Sequence, residues 1–212
     1  MLSQILIIDK RKELSTKYKR SLEDEQTAVS VARTLKDAIG LIRVIEPDLI
    51  VVSDSIEEEL TRFCEKIRTL TYNTRPTIIA LSKSADFNDR INVLSCGADD
   101  FLSEPVNIEE FKVRIKAHLR RDLELNLDSV TQIPNKKYVQ KALRRLLNSD
   151  NKQAVLLVGV ENLENYKSIY SDIAGDKLLQ TLTAITKSAL DSNDFLGQLN
   201  EKNFIIITNP FS

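Results

Sequence analysis

Short apolar runs alternating with amphipathic stretches constrain this chain more than any other feature. The runs fall at residues 4–8 (QILII), 28–32 (AVSVA), 48–52 (DLIVV), 77–81 (TIIAL) and 100–103 (DFLS). The first, third and fourth are apolar at successive positions, as a parallel strand covered by helices on both faces requires. Helical periodicity fills the gaps near 11–23, 34–45, 58–70 and 86–96, and a fifth helix begins at about 107. Five βα units in succession predict an α/β fold, a doubly wound five-stranded parallel sheet. Ligands of such sheets lie outside the carboxyl ends of the central strands. That draws attention to Asp9, Lys10, Ser53, Asp54, Ser82 and Glu104.

The fifth helix has no turn signal where the fold should close. Ile108, Phe111, Ile115, Leu119, Leu123 and Leu127 recur at spacings of three to four. A stripe of this kind covers its own domain first and a partner helix later, so a homodimer pairing through Leu119, Leu123 and Leu127 is expected. The charged run Arg120–Asp122 marks a domain boundary, which divides the chain into 1–122, a helical linker 123–134 and a smaller α/β region 135–212. Pro134 breaks the chain before a helix at about 135–149. A strand at 154–160 follows, then helices near 162–170 and 174–190. Two short strands around LGQL and FIII close a hairpin at Asn200–Lys202.

Composition narrows the function classes. With Lys+Arg 30 against Asp+Glu 31, no basic field favours nucleic acid. The apolar run Ile5–Ile8 meets Asp9 at once, too short for a membrane span or a signal segment, so a cytoplasmic location is expected. Cys64 and Cys96, far apart on helical stretches, read as buried thiols of a reducing compartment. His118, among Lys116, Arg120 and Arg121, reads as a solvated side chain. Neither a zinc cluster nor a nucleophilic triad can be assembled around it.

Strand ends at Asp9, Asp54 and Ser82, followed by GADDFLSEPV, resemble the receiver domain of response regulators over about residues 3–120. The resemblance implies a pocket in which two adjacent acids and a central Asp bind Mg²⁺ and the central Asp accepts a phosphoryl group. A Ser or Thr and a Lys hold its oxygens there. Asp9 matches the first acid, but Lys10 stands at the second, and Glu104 stands where the family has the Lys before its Pro. The central position is either Ser53, counted from Pro47, or Asp54, whose spacing from Ser82 suits the family. Asp54 is the favoured choice. Lys10 and Glu104 are expected to pair and fill the pocket in place of metal. Phe101 matches an aromatic that responds to phosphorylation in the family, and also reads as ordinary packing.

LDSVTQIPNKKYVQKAL resembles the opening segment of GGDEF domains, the diguanylate cyclases, and VGVENLENYKSIYSDIAGDKLL matches the following stretch in order. The resemblance implies a GTP site with Mg²⁺ on two carboxylates. Their positions are Gly159 and Lys202. The signature glycines are Asn200 and Glu201, and the guanine-binding Asn is Lys167. Asp176 alone keeps the family's residue, and reads as a helix N-terminal charge rather than a guanine contact. The product-inhibition motif is reduced to Asp191 and Asp194. The chain reaches Ser212 soon after the hairpin, so the second domain is expected to be incomplete.

The sequence therefore predicts a non-enzymatic signalling protein of the two-component and cyclic-di-GMP type. No cofactor is expected, Mg²⁺ entering only if the receiver pocket works. Its partners would be proteins, a sensor kinase or a downstream signalling protein. The alternative is a phosphorelay regulator accepting phosphate on Asp54, with an active cyclase opposed by Gly159 and Lys202.

Overall fold

The computed structural model describes residues 3–56, 59–71, 74–84, 86–148 and 152–208. The chain folds as two compact units that divide between Asp122 and Leu123.

The first unit is built from β1 (Ser3–Ile8), α1 (Lys12–Leu22), β2 (Thr27–Ala32), α2 (Leu35–Ile45), β3 (Leu49–Ser53), α3 (Leu60–Leu70), β4 (Thr77–Ser82), α4 (Phe87–Ser95), β5 (Asp100–Ser103) and α5 (Ile108–Leu125). The five strands are parallel in the order β2-β1-β3-β4-β5, the doubly wound arrangement expected. Period-2 alternation within uninterrupted apolar strands makes two cores. Leu6, Ile8, Ile50, Val52, Ile78 and Ala80 pack under Phe63, Cys64 and Ile67 of α3. Ile5, Ile7, Leu49, Val51, Ile79 and Leu81 pack under Tyr18 of α1 and Phe111 and Ile115 of α5. Phe101 joins the first of these cores at 5% exposure, so packing occupies it.

Four expectations need correction. The linker 123–134 is helical only to Leu125, where α5 ends, and 126–135 is a hydrogen-bonded loop. Asp128 Oδ1 accepts from the amides of Val130 and Thr131 at 3.0 and 2.9 Å, Ile133 is fully buried, and Asn135 caps the next helix. Those side-chain bonds offer the backbone an alternative to helix. The apolar stripe is shorter than its periodicity suggests. Leu119 packs against the core, and Leu127 lies past the helix end in a bridge to Pro134. His118 is not solvated. Its Nε2 lies 3.2 Å from Asp100 Oδ2, and both side chains are largely covered. Cys64 is buried, whereas Cys96 ends α4 half-buried.

The second unit contains α6 (Lys136–Leu147), β6 (Ala154–Gly159), α7 (Leu163–Tyr170), α8 (Asp172–Ser188), β7 (Phe195–Asn200) and β8 (Asn203–Thr208). Its antiparallel sheet runs β6-β8-β7. Strand β8 is covered on both faces. Phe204 and Ile206 pack with Leu163 and Leu179, while Ile205 and Ile207 pack with Tyr138, Val139 and Ala142 of α6. Among the described residues, no helix is long and apolar enough to cross a membrane.

Candidate functional site: two pockets occupied by the chain's own cations

Asp9 leaves the end of β1 with its side chain fully buried. The cation facing it is Arg11, not Lys10. Arg11 Nε and Nη2 reach the two oxygens of Asp9 at 2.9 and 2.8 Å. Nη1 and Nη2 reach the two oxygens of Glu104, beyond β5, at 2.5 and 2.7 Å, and Nη2 also donates to Ser53 Oγ at 2.6 Å. A planar guanidinium suits this task because its fork meets two carboxylates edge-on at once, which a single ammonium cannot do. The expected Lys10–Glu104 contact is thereby corrected. Lys10 is exposed, and its backbone N–H donates to Ser55 Oγ at 3.1 Å. Ser55 in turn donates to Asp9 at 2.7 Å. The Arg11 guanidinium is held well above its ordinary range by its bonds to Glu104 and then Asp9. Next to this cluster, Tyr18 packs on Phe111 with ring centroids 4.6 Å apart. Burial, with Glu104 adding, pushes its phenol up to about 12.

The two candidates for the central position go different ways. Ser53, fully buried at the end of β3, belongs to the Arg11 cluster. Asp54, one residue on, is half-exposed and accepts from Ser82 Oγ at 2.8 Å and from the Lys83 amide at 2.7 Å. Asp54 and Ser82 are thus brought together, apart from the bonds that join Asp9, Ser53 and Glu104. Sequence reasoning missed Arg11 and Ser55 because it weighed only positions the family uses. The available signal was two acids at one sheet end with a forked cation following the first.

In the second unit the hairpin closes through Asn200, whose Oδ1 accepts from the amides of Lys202 and Asn203 at 3.2 and 2.9 Å. Gly159 lies opposite Asn203, and a Cβ there would come within 2.8 Å of Asn203 Oδ1, so no larger residue fits without moving that amide. Lys167 on α7 contacts the Glu201 carboxylate and lies 3.6 Å from Asp176. Its ammonium is raised from its ordinary value, Glu201 being the main cause. Asp176 sits in the second turn of α8 and meets Lys167, while Asp172 is the acid of the first turn. Lys202 is exposed in the turn.

At the first site two carboxylates are committed to a guanidinium while Asp54 stands apart with Ser82, and at the second Gly159 and Lys202 occupy the positions of the family's metal carboxylates. Among the described residues, no group of three or more His, Cys, Asp or Glu side chains is placed to hold a metal ion.

Comparison with known proteins places both halves. The family model for the diguanylate cyclase GGDEF domain matches residues 125–211. The curated relatives include the transcriptional regulatory protein YvrH of Bacillus subtilis, 32% identical over 61% of this chain and 54% of its own. They also include the response regulator GtcR of Aneurinibacillus migulanus, 36% identical over 59% and 51%. The chain spans about half the length of these relatives. A two-component response regulator from Clostridium difficile superimposes with a TM-score of 0.53 at 32% identity, covering 56% of this chain and 97% of its own. The family model for the response regulator receiver domain matches residues 5–116, more than half of the chain, and the protein belongs to that family.

Proposed function

We propose that this protein is a cytoplasmic two-component signalling protein that works through protein–protein contacts, with neither phosphoryl transfer at the receiver pocket nor synthesis of cyclic di-GMP. The carrying observation is the Arg11 guanidinium bonded at once to Asp9, Ser53 and Glu104. Phosphoryl transfer to a carboxylate needs a divalent cation to offset the charge of donor and acceptor. Here a fixed monovalent cation fills that role for the resting acids, and Glu104 adds negative charge where the product would need a donor. The same logic covers the second unit, where Lys167 is held by Glu201 and Asp176. Its partners are proteins, a sensor kinase or a downstream signalling protein, and the chain acts as a homodimer without nucleic acid, membrane or metal.

Intact-mass measurement after acetyl phosphate and Mg²⁺ tests the first half: an unchanged mass is expected. Incubation with GTP and Mg²⁺ or Mn²⁺ tests the second, with no cyclic di-GMP above blank expected. A second reading, phosphorylation of Asp54, draws support from its half-exposed carboxylate and its bond to Ser82. A stoichiometric mass gain that Asp54→Asn abolishes would establish it in place of the first.

A further inference from the structure

Arg11 Nη2 stands at a position ringed by oxygen. It lies 2.8 Å from Asp9 Oδ2, 2.7 Å from Glu104 Oε1 and 2.6 Å from Ser53 Oγ. The three oxygens sit at or just past the ends of β1, β5 and β3, so the sheet itself fixes their spacing. All three side chains are withdrawn from solvent, Asp9 and Glu104 keeping 0 and 5% of their surface and Ser53 none. Asp9 is also held through its other oxygen: Oδ1 accepts from Ser55 Oγ at 2.7 Å and from the Arg11 amide at 2.8 Å. Those two bonds do not involve the guanidinium, so the carboxylate keeps its aim when that group is removed.

Charge among these groups is not balanced. Asp9 and Glu104 bring two negative charges to one positive guanidinium, and burial makes the remaining charge costly. A divalent cation at the place of Nη2 would offset both carboxylates, and oxygen is its preferred donor. Separations of 2.6 to 2.8 Å are close to the distances of about 2.3–2.6 Å that Ca²⁺ takes, and well beyond the roughly 2.0–2.1 Å that Mg²⁺ demands. The guanidinium holds the place because it is tethered two residues from Asp9 and loses no translational freedom on arriving, unlike a free ion. It also stays protonated, so it does not yield at any ordinary pH.

We infer that Arg11 is an autoinhibitory plug in a divalent-cation site formed by Asp9, Ser53 and Glu104, and that its side chain alone keeps the site shut. This rests on the proposed reading of the first pocket as one without phosphoryl transfer, and names what closes it. Glu104 gains a role here: an acid beside Asp9 is a repulsive charge without a cation and a ligand with one. Asp54 lies outside the site, its carboxylate being bonded to Ser82 and to the Lys83 amide. The Arg11 side chain is 27% exposed, so taking away its head opens a path for water and ions to the three oxygens.

Thermal unfolding of the full chain tests this, followed by circular dichroism in chelator and then in millimolar Ca²⁺, Mn²⁺ or Mg²⁺ at matched ionic strength. Wild type should melt at the same temperature in every buffer. Arg11→Ala should melt lower in chelator and regain about 5 °C or more in Ca²⁺, and less in Mg²⁺, because an ion that binds only the folded chain stabilises it. If Arg11→Ala does not fold in chelator, dilution from urea into Ca²⁺ should restore its helical signal. Adding Glu104→Gln should abolish the ion response, and adding Asp54→Asn should leave it. Wild type stabilised by Ca²⁺ as much as the variant overturns the plug. A variant silent to all three ions, folded or not, overturns the site, as does a response that survives Glu104→Gln or is lost with Asp54→Asn. A mass gain of wild type with acetyl phosphate sinks the underlying reading instead, whereas a silent Arg11→Ala leaves that reading standing.

Discussion

Asp9 and Glu104 keep 0 and 5% of their side-chain surface and share one guanidinium, itself 27% exposed. Burying two carboxylates is tolerable only while that cation is present, because the loss of one partner leaves the others desolvated and uncompensated. Arg11→Ala should therefore destabilise the first unit by about 3 kcal/mol, read from urea unfolding, the partial exposure of Arg11 holding the loss near the lower end for buried pairs. Arg11→Lys should recover less than half of it, because an ammonium cannot fork to both acids. Equal stability of Arg11→Ala and wild type would mean that the cluster contributes nothing. Lys10→Ala, by contrast, should change stability by less than about 0.5 kcal/mol, since its side chain is at the surface.

At the scale of elements, Gly197 on β7 shows how closely the second unit is packed. A Cβ there would overlap Val139 Cγ2 on α6 and stand 2.9 Å from Phe195 Cζ. Val139 is fully buried and cannot withdraw, so Gly197→Ala should cost about 1–3 kcal/mol of overpacking, measurable as a lowered unfolding midpoint of the second unit. Elements are the most legible level of this sequence. The runs at 4–8, 48–52 and 77–81 form β1, β3 and β4 within a residue or two, because hydrophobic periodicity records burial directly. The linker up to Pro134 reads as helix, since the apolar spacing runs on to Leu127 with neither Gly nor Pro to interrupt it. Side-chain bonds of Asp128, Thr131 and Asn135 decide its outcome, and periodicity does not register them. The pocket is legible in part. Asp9 and Glu104 can be placed by the strand ends that carry them, but the choice between Lys10 and Arg11 depends on side-chain direction and fork geometry. Asp54 and Ser82 meet as their spacing suggests, while Ser53 joins the other cluster, a division that no one-dimensional count contains.

For the whole molecule, the first unit combines two buried acids whose proton loss is opposed by the fold, and this sets a pH dependence. Burial pushes the Cys64 thiol up to about 12 from 9.0, and the Tyr18 phenol up to about 12 from 10.0. In both cases the folded value lies above the unfolded one. The unfolded chain therefore releases its protons first as pH rises, and the stability these groups contribute, complete below about pH 9, declines through pH 10 to 12. The melting temperature of the first unit should fall between pH 8 and pH 11, with an ultraviolet titration showing one of the 5 tyrosines ionising only as the unit unfolds. Tyr18→Phe keeps the ring against Phe111 and removes the ionisable oxygen, so it should flatten the decline without large loss at pH 7. Cys64→Ala would flatten it too, but with a cavity cost of its own at neutral pH, where the thiol packs in the core under α3. A melting temperature that holds steady from pH 8 to 11 in the wild type, or an equal decline in Tyr18→Phe and Cys64→Ala together, would show that these two groups are not what links the fold to alkaline pH.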